Sequence, residues 1–300
     1  MSPRPSEPRP PSYFDVERAA VGSRAMTLVL GDLAIELRGV DSPLERRLAG
    51  RYGPYLGPAD RPALCVDVAH ETGFDYFIEP RPGESNPLLL ACDGPRVRTT
   101  GYCSAGWFDT RGGCGQLVLS DGRHETRERS IENYLRAATA WVAAERGGAL
   151  IHAASSVLDE RGYLFYGESG AGKSTLSAHN RRARVVSDDL SLVLPGEDGG
   201  PWLVGTPFRG TYEEGEPFLG RARLVAGFRI VKDAHAEVRA VPRVRAFAEL
   251  VGNLPFVAEA FSRRPDLFER VDRAFRDVPL AHLHFRKDDD YWDAIAAAGL

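Results

Sequence analysis

The sequence predicts an α/β fold in which a β-rich N-terminal region precedes an α/β core. Two observations predict it. Short β-type segments separated by glycine and proline fill the first region, and alternating strand and helix patterns fill the second. With 300 residues, 43% hydrophobic and 27% charged, the chain has the composition of a globular protein of about two domains. We expect a disordered tail at residues 1–12, the β-rich region at 13–128 and the α/β domain at 129–300.

The N-terminal region contains six short segments of β-type composition. They are Met26–Leu30, Leu33–Leu37, Leu64–Val68, Tyr76–Ile78, Leu88–Cys92 and Gln116–Leu119. Glycine and proline between them favour turns. No group of residues suited to catalysis lies among these segments, so we interpret the region as a docking or substrate-specifying module. The tail before it is rich in proline and has no apolar stretch, which argues against a signal peptide.

A helical pattern marks the start of the second region. Ser130 can cap a helix that Gly147-Gly148 ends. The following pattern is strand, strand, glycine-rich loop, helix and strand, at Ala149–Leu158, Tyr163–Tyr166, 167–172, Lys173–Arg181 and Arg184–Leu194. Further strands are predicted at Trp202–Val204, Leu224–Val231 and Leu280–Phe285, and further helices at Arg245–Phe261, Pro265–Phe275 and Asp290–Ala298.

The glycine-rich loop matches the phosphate-binding motif G-x-x-x-x-G-K-[ST] in full. Its residues are Gly167, Glu168, Ser169, Gly170, Ala171, Gly172, Lys173, Ser174 and Thr175. Glycines permit positive φ angles, so the backbone N–H groups can face phosphate oxygens. Lys173 is expected to reach the β- and γ-phosphates, and the Ser174 hydroxyl to bind Mg²⁺. A strand before the loop and a helix after it are the context this motif requires, so the sequence predicts a site for a nucleoside triphosphate and Mg²⁺.

Two neighbouring carboxylates, Asp188 and Asp189, follow a short apolar run. An acid at the tip of a strand near a phosphate loop can hold Mg²⁺ directly or through water, and a second acid can accept a proton. Neighbouring side chains on an extended strand face opposite sides, so only one aspartate is expected to face the nucleotide. We assign Asp189 as the general base and Asp188 as the metal ligand, and the exchanged assignment stays open.

Two further polar residues are candidates for the site. His152 lies on the strand that precedes the loop strand, where a single histidine is more often a structural core residue. Arg209, in the segment Gly205–Gly210, is either a cation near the transferred phosphoryl group or a solvated loop residue. The acidic residues that follow offer either a second metal contact or a solvated loop; they are Glu213, Glu214 and Glu216.

The order of His152, the loop Gly167–Ser174 and Ser187-Asp188-Asp189 resembles the catalytic domain of HPr serine kinase/phosphorylase and its relatives, over roughly residues 130–300. The resemblance implies a P-loop core of the HPr kinase/phosphoenolpyruvate carboxykinase type for the second domain. It places His152, Lys173 and one aspartate in the active site, and Ser174 on magnesium. The sequence looks closer to the HPr-kinase-related proteins, some of which act in peptide modification. The loop that carries Arg209 then corresponds to a substrate-side loop.

The expected activity is transfer of the γ-phosphoryl group of ATP to a hydroxyl, with Mg²⁺. ATP as the donor follows from the resemblance and from the lack of a guanine-reading N-K-x-D segment. The resemblance also implies that the acceptor is a serine of a protein or precursor peptide. Two alternatives stay open: a kinase of a small metabolite such as an amino acid or sugar, and a nucleotide-dependent binding or regulatory module without transfer activity.

Charge and cysteine content argue against several other classes of protein. The formal net charge is −4 without a long block of like charge, so no electrostatic footprint for nucleic acid is present. Four widely spaced cysteines without a C-x-x-C pair favour reduced thiols in the cytoplasm over a disulfide framework. The apolar runs are far shorter than the roughly 20 residues that cross a bilayer, so no membrane partner is expected. Whether the chain forms a homo-oligomer stays open.

Overall fold

The computed structural model describes residues 7–81, 87–210 and 216–300. The chain divides into two compact units, Met1–Val142 and Ala143–Leu300. Strand makes up 35% of the structure and helix 26%, so β-sheet sets the architecture. Within the described part of the chain, no helix combines the length and the apolar character needed to span a membrane.

The first unit is built on a seven-stranded mixed sheet. Its strands are β1 (Arg24–Leu30), β2 (Leu33–Val40), β3 (Leu64–His70), β4 (Leu89–Asp93), β5 (Arg96–Thr100), β6 (Ser104–Asp109) and β7 (Cys114–Leu119). Their order is β1-β2-β3-β7-β6-β5-β4, and β3 pairs in parallel with both β2 and β7. Helix α1 (Ser42–Tyr52) connects β2 to β3, and Asp41 caps it by accepting the N–H of Leu44 at 2.7 Å.

Helix α2 (Arg127–Glu145) packs its Tyr134 ring on this sheet. The Tyr134 hydroxyl donates to the carbonyl of Trp107 at 2.7 Å. A Cβ atom at Gly106 or Gly115 would come within 2.7 or 2.6 Å of Tyr134 atoms. The two glycines therefore make the space in which the tyrosine ring lies. Of the predicted tail, residues 1–6 lie outside the described residues, and the Arg9 backbone N–H donates to Thr100 Oγ1.

Replacing Glu132 on α2 with alanine is expected to destabilise the first unit by about 3 kcal/mol, because it removes a buried carboxylate that pairs with three arginines. The Glu132 carboxylate is only 3% exposed. It pairs with Arg51 at 2.9 Å, Arg129 at 3.2 Å and Arg136 at 2.5 Å. Urea unfolding of the variant measures the change in the free energy of unfolding.

Glu45→Ala is the matched control, since Glu45 pairs with Arg24 at the surface at 2.8 Å. Exposed ion pairs contribute less than about 1 kcal/mol, so this variant should unfold close to the native protein. A loss for Glu132→Ala no larger than that of the control would contradict the prediction.

The second unit contains a closed five-stranded β-barrel with strands added at its sides. Its strands are β8 (Ala149–Leu158), β9 (Arg161–Tyr166), β10 (Arg184–Ser187), β11 (Leu190–Pro195), β12 (Pro201–Val204), β13 (Arg221–Lys232), β14 (Glu237–Ala240) and β15 (Leu280–Phe285). The ring runs β8-β11-β12-β13-β9 and returns to β8. Within it, β13 and β9 pair in parallel and the other junctions are antiparallel. Strand β10 pairs with β8, β15 with β13, and β14 with β15.

This architecture shows that the predicted P-loop core of the HPr kinase/phosphoenolpyruvate carboxykinase type is wrong. The prediction rested on the local order of strand, glycine-rich loop and helix. That order is present, since β9 leads through the loop into helix α3 (Lys173–His179). The pairings around it close a mainly antiparallel barrel, giving a β-rich mixed fold. A local order of elements does not specify which strands pair, so it could not predict the barrel.

The C-terminal part of this unit contains three helices, and the last of them packs against β9, the strand that leads into the loop. They are α4 (Arg243–Val251), α5 (Pro265–Ala274) and α6 (Tyr291–Ala297). Tyr291 and Trp292 of α6 are buried and meet the ring of Phe165 on β9 edge to face, with centroids 5.9 and 5.8 Å apart. Phe228 of β13 stacks on Phe165 from the neighbouring strand. This aromatic cluster fixes the end of β9, from which the glycine-rich loop begins.

Candidate phosphate-binding site

A cavity of about 420 Å³ in the second unit gathers most of the residues predicted for the site. Its lining residues are His152, Ser169, Gly170, Gly172, Lys173, Ser174, Thr175, Asp188, Asp189, Gly210 and Lys232. They come from β8, the loop after β9, the start of α3, the turn between β10 and β11, the segment after β12, and the end of β13. Gly167, Glu168 and Ala171 belong to the loop without lining this cavity.

Two glycines set the path of the loop backbone. Gly170 and Gly172 have φ angles of 79° and 112°, in the region that residues with a side chain rarely adopt. A Cβ atom at Gly172 would also lie 2.8 Å from Cζ of Phe285. The positive φ angles expected of glycine in this loop are therefore present at these two positions.

Lys173 is held within the loop. Its side chain is almost fully buried, at 7% exposure, and Nζ donates to the carbonyls of Gly167 at 2.8 Å and Glu168 at 3.3 Å. Burial lowers the pKa of Lys173, and the nearby charge of Asp189 acts in the opposite direction. A phosphate group would offer this ammonium a charged acceptor, which makes a stronger hydrogen bond than a carbonyl does.

Asp188 is fixed by the backbone on the other side of the cavity. Its carboxylate is buried, and Oδ1 accepts the N–H of Gly210 at 2.8 Å. A Cβ atom at Gly210 would lie 2.8 Å from Asp188 Oδ2 and 3.1 Å from Asp189 Cβ. The segment that contains Gly210 and the turn that contains the two aspartates therefore lie so close together that a side chain at position 210 would collide with Asp188.

The Asp189 carboxylate lies beside the imidazole ring of His152. The distance from Asp189 Oδ1 to His152 Nε2 is 3.3 Å, and both side chains are partly exposed, Asp189 at 26% and His152 at 42%. The two residues meet because β8 and β11 are antiparallel with Leu190 opposite His152. His152 thus lines the cavity, and its side chain is too exposed for a core histidine.

Both aspartates line the cavity, whereas alternation along an extended strand predicts that only one would. The physical reason is that the pair lies between β10, which ends at Ser187, and β11, which begins at Leu190. A turn does not keep the strict alternation of a strand. The two carboxylates nevertheless differ: Asp188 is tied to a backbone N–H, and Asp189 is paired with a histidine.

The oxygen donors of the cavity suit a Mg²⁺ ion that also binds water and phosphate, and they are too few to hold a metal ion by protein ligands alone. Among the described residues, no group of three or more His, Cys, Asp or Glu side chains could hold a metal ion. Ser174 and Asp188 contribute one hydroxyl and one carboxylate to the same cavity. Mg²⁺ prefers such oxygen donors, keeps several waters and takes few protein ligands beside phosphate groups.

Arg209 is the predicted catalytic residue that is not among those lining the cavity. Arg209 is half-buried next to Gly210 and does not line the cavity, and its backbone N–H donates to the carbonyl of Pro207 at 2.9 Å. Glu213 and Glu214 lie outside the described residues. The site residue that the sequence did not indicate is Lys232, which no motif surrounds and which only the register of β13 brings to the cavity.

Comparison with protein-family models gave no match, and comparison with curated proteins gave none. Function is therefore inferred from the chemistry of the site.

Proposed function

We propose that the protein is an ATP- and Mg²⁺-dependent kinase of the HPr-kinase-related class, acting in the cytoplasm, which transfers the γ-phosphoryl group to a serine hydroxyl of a protein or precursor peptide. The observation that carries the proposal is that Lys173, Ser174 and the two aspartates line one cavity. A phosphate-binding lysine, a metal-binding hydroxyl and a candidate base are the groups that phosphoryl transfer requires. The serine acceptor is supported by the resemblance in motif order alone.

The reaction follows from these positions. The loop N–H groups and Lys173 bind the phosphates of the donor, and the acceptor hydroxyl oxygen attacks the γ-phosphorus. The bond from that phosphorus to the oxygen bridging to the β-phosphate breaks, and ADP leaves with the electron pair. Asp189 accepts the hydroxyl proton, while its pairing with His152 holds the carboxylate in place.

Asp188 has a different role in this scheme. Ser174 and Asp188 would hold Mg²⁺, which supplies positive charge against the phosphate oxygens when it is bound. Because Asp188 Oδ1 already accepts the Gly210 N–H, this carboxylate is held in one position and suits a metal ligand better than a base. Asp189 is partly exposed at the cavity surface, where an acceptor hydroxyl can approach.

The test is a transfer assay with ATP labelled in the γ-phosphoryl group, Mg²⁺ and three sets of acceptors. The sets are HPr and peptides encoded beside the gene, a panel of small hydroxyl compounds such as sugars and amino acids, and no acceptor. Label on a serine of the first set is the expected result. Label only on a small compound would establish a metabolite kinase instead. ATP binding without transfer to any acceptor would refute the kinase proposal and leave a nucleotide-binding module.

Replacing Gly210 with alanine is expected to lower the rate of transfer by about 10-fold or more, because displacing a catalytic group by a fraction of an ångström weakens its alignment. The added Cβ would lie 2.8 Å from Asp188 Oδ2, so the carboxylate or the Gly210 segment must shift. The measurement is the initial rate of label transfer at saturating ATP.

Gly50→Ala is the control for this substitution. A Cβ at Gly50, in α1, has nothing within 4 Å. That variant should transfer at the native rate. Equal rates for the two alanine variants would show that the close approach of Gly210 to Asp188 has no role in the reaction.

A further inference from the structure

Lys232 reaches the cavity through the pairing of three parallel strands. Strand β13 pairs in parallel with β9, which leads into the glycine-rich loop, and with β15. The carboxyl ends of parallel strands lie at one edge of a sheet, so the end of β13 comes beside the loop. Lys232 is the last residue of β13, and its Cε lies 3.5 Å from the position that a Cβ at Gly172 would take. The lysine stem therefore runs alongside the phosphate-binding loop.

Lysine is a rare residue in this chain. Of 38 lysine and arginine residues only three are lysine, namely Lys173, Lys232 and Lys287. Two of these three line the same cavity. Lysine presents a compact ammonium on a flexible stem, which binds phosphate as a point charge and adapts to its position.

The charge of Lys232 is not neutralised by its neighbour in the chain. The Asp233 carboxylate is bound by Nδ1 of His284 at 2.8 Å and by the N–H of Ala234 at 2.6 Å. Within residues 7–81, 87–210 and 216–300, no carboxylate forms an ion pair with Lys232. Its ammonium is exposed at the cavity and available to a negatively charged ligand.

We propose that Lys232 is a second phosphate-binding residue, and that Lys173 and Lys232 together select a polyphosphate chain, as in a nucleoside di- or triphosphate, over a single phosphate group. The inference deepens the proposed function and rests on its nucleotide site. A polyphosphate chain presents several negative oxygens along its length, so it can contact two separate ammonium groups at once. A monophosphate has one charged group, which the buried Lys173 and the loop N–H groups already accommodate.

The experiment is calorimetric titration of the native protein, Lys232→Gln and Lys287→Gln with ATP, AMP and inorganic tripolyphosphate, each with Mg²⁺. For Lys232→Gln we expect the Kd for ATP and tripolyphosphate to rise about 10-fold, the effect of losing one charged hydrogen bond, and the Kd for AMP to change little. Lys287 is exposed two residues beyond β15 and does not line the cavity, so its variant should bind all three ligands as the native protein does. Native affinity for ATP in a folded Lys232→Gln variant would overturn the proposal.

A second measurement on the native protein needs no substitution. Acetylation by an N-hydroxysuccinimide ester, followed by mass spectrometry, can be read at each of the three lysines. ATP with Mg²⁺ should slow acetylation of Lys173 and Lys232 and leave Lys287 unchanged. Protection of Lys173 without protection of Lys232 would also overturn the proposal.

These outcomes separate the inference from the proposed kinase activity. A native protein that binds ATP but transfers nothing refutes the kinase activity, and the role of Lys232 is still decided by the titrations. A native protein that binds neither ATP nor tripolyphosphate refutes both.

Discussion

Replacing Lys173 with alanine is expected to raise the Kd for ATP with Mg²⁺ at least about 100-fold, equivalent to the roughly 3 kcal/mol of a strong hydrogen bond between charged groups. The Lys173 ammonium is almost fully buried and is surrounded by the carbonyls of Gly167 and Glu168. Without it, the phosphate oxygens would meet carbonyl dipoles of the same sign and no compensating charge. Transfer should fall below detection because the donor is no longer bound. Calorimetry gives the Kd, and the labelled-ATP assay gives the rate.

Lys287→Ala is the matched control because it removes a lysine of the same unit that does not line the cavity. Its ATP affinity should equal that of the native protein. Thermal unfolding of both variants separates lost binding from lost structure. Native ATP affinity in a folded Lys173→Ala variant would rule out the glycine-rich loop as the phosphate site.

The loop and its flanking elements could be predicted from sequence because their information is local. Strand β8 was predicted at Ala149–Leu158 and is observed with the same bounds. The helix after the loop was predicted to end at Arg181 and ends at His179. The motif prescribes positive φ angles at glycine, and Gly170 and Gly172 have them. Each of these features depends on residues within a few positions along the chain.

The barrel could not be predicted in the same way. Its closure depends on β8 pairing with both β9 and β11, and on β13 pairing with both β9 and β12. Antiparallel neighbours along the chain can continue as an open sheet or close into a ring, and the alternation of apolar residues is the same in both cases. Only the long-range register decides between them.

The first unit shows the limits of β-type composition as a signal. The apolar run Tyr76–Ile78 was predicted as a strand, but it forms none, although Phe77 and Ile78 are buried. Burial of a short apolar run does not require a hydrogen-bonded ladder. Conversely, β5 (Arg96–Thr100) was missed because it contains one apolar residue, Val97, and β6 and helix α1 were missed as well.

For the candidate site, the sequence predicted which residues lie together better than it predicted how they pair. Lys173, Ser174 and the aspartate pair come together as their residue types suggested. The partnership of Asp189 with His152 could not be predicted, because it depends on the antiparallel register of β8 and β11. Lys232 stands outside every motif, and the sequence analysis did not indicate it, although lysine is a rare residue in this chain.

Replacing Asp189 with asparagine is expected to lower the rate of transfer by about 100- to 10,000-fold, the usual contribution of a general base, and to leave ATP binding in place. Asparagine keeps the shape of the side chain and cannot accept the hydroxyl proton. Because Asp189 places negative charge near Lys173, its neutralisation should not weaken the attraction of the site for phosphate. In this variant the rate of label transfer should therefore fall, while the calorimetric Kd for ATP stays near its native value.

Asp198→Asn is the control, because it makes the same change from aspartate to asparagine outside the cavity. Asp198 lies between β11 and β12, pairs with Arg223 at the surface and does not line the cavity. Its variant should transfer at the native rate. If Asp189→Asn also does so, the proton is accepted by another group and the role assigned to Asp189 is wrong.

Asp188→Asn distinguishes the two aspartates, since a metal ligand and a base respond differently to Mg²⁺. Loss of a carboxylate ligand weakens Mg²⁺ binding, so this variant should need a higher Mg²⁺ concentration for half-maximal transfer and should recover as Mg²⁺ is raised. A higher Mg²⁺ concentration cannot restore the rate of transfer that is lost with the base. Recovery of Asp189→Asn by Mg²⁺, together with irreversible loss in Asp188→Asn, would exchange the two roles. It would also mean that the carboxylate anchored by Gly210, and not the one paired with His152, takes the proton.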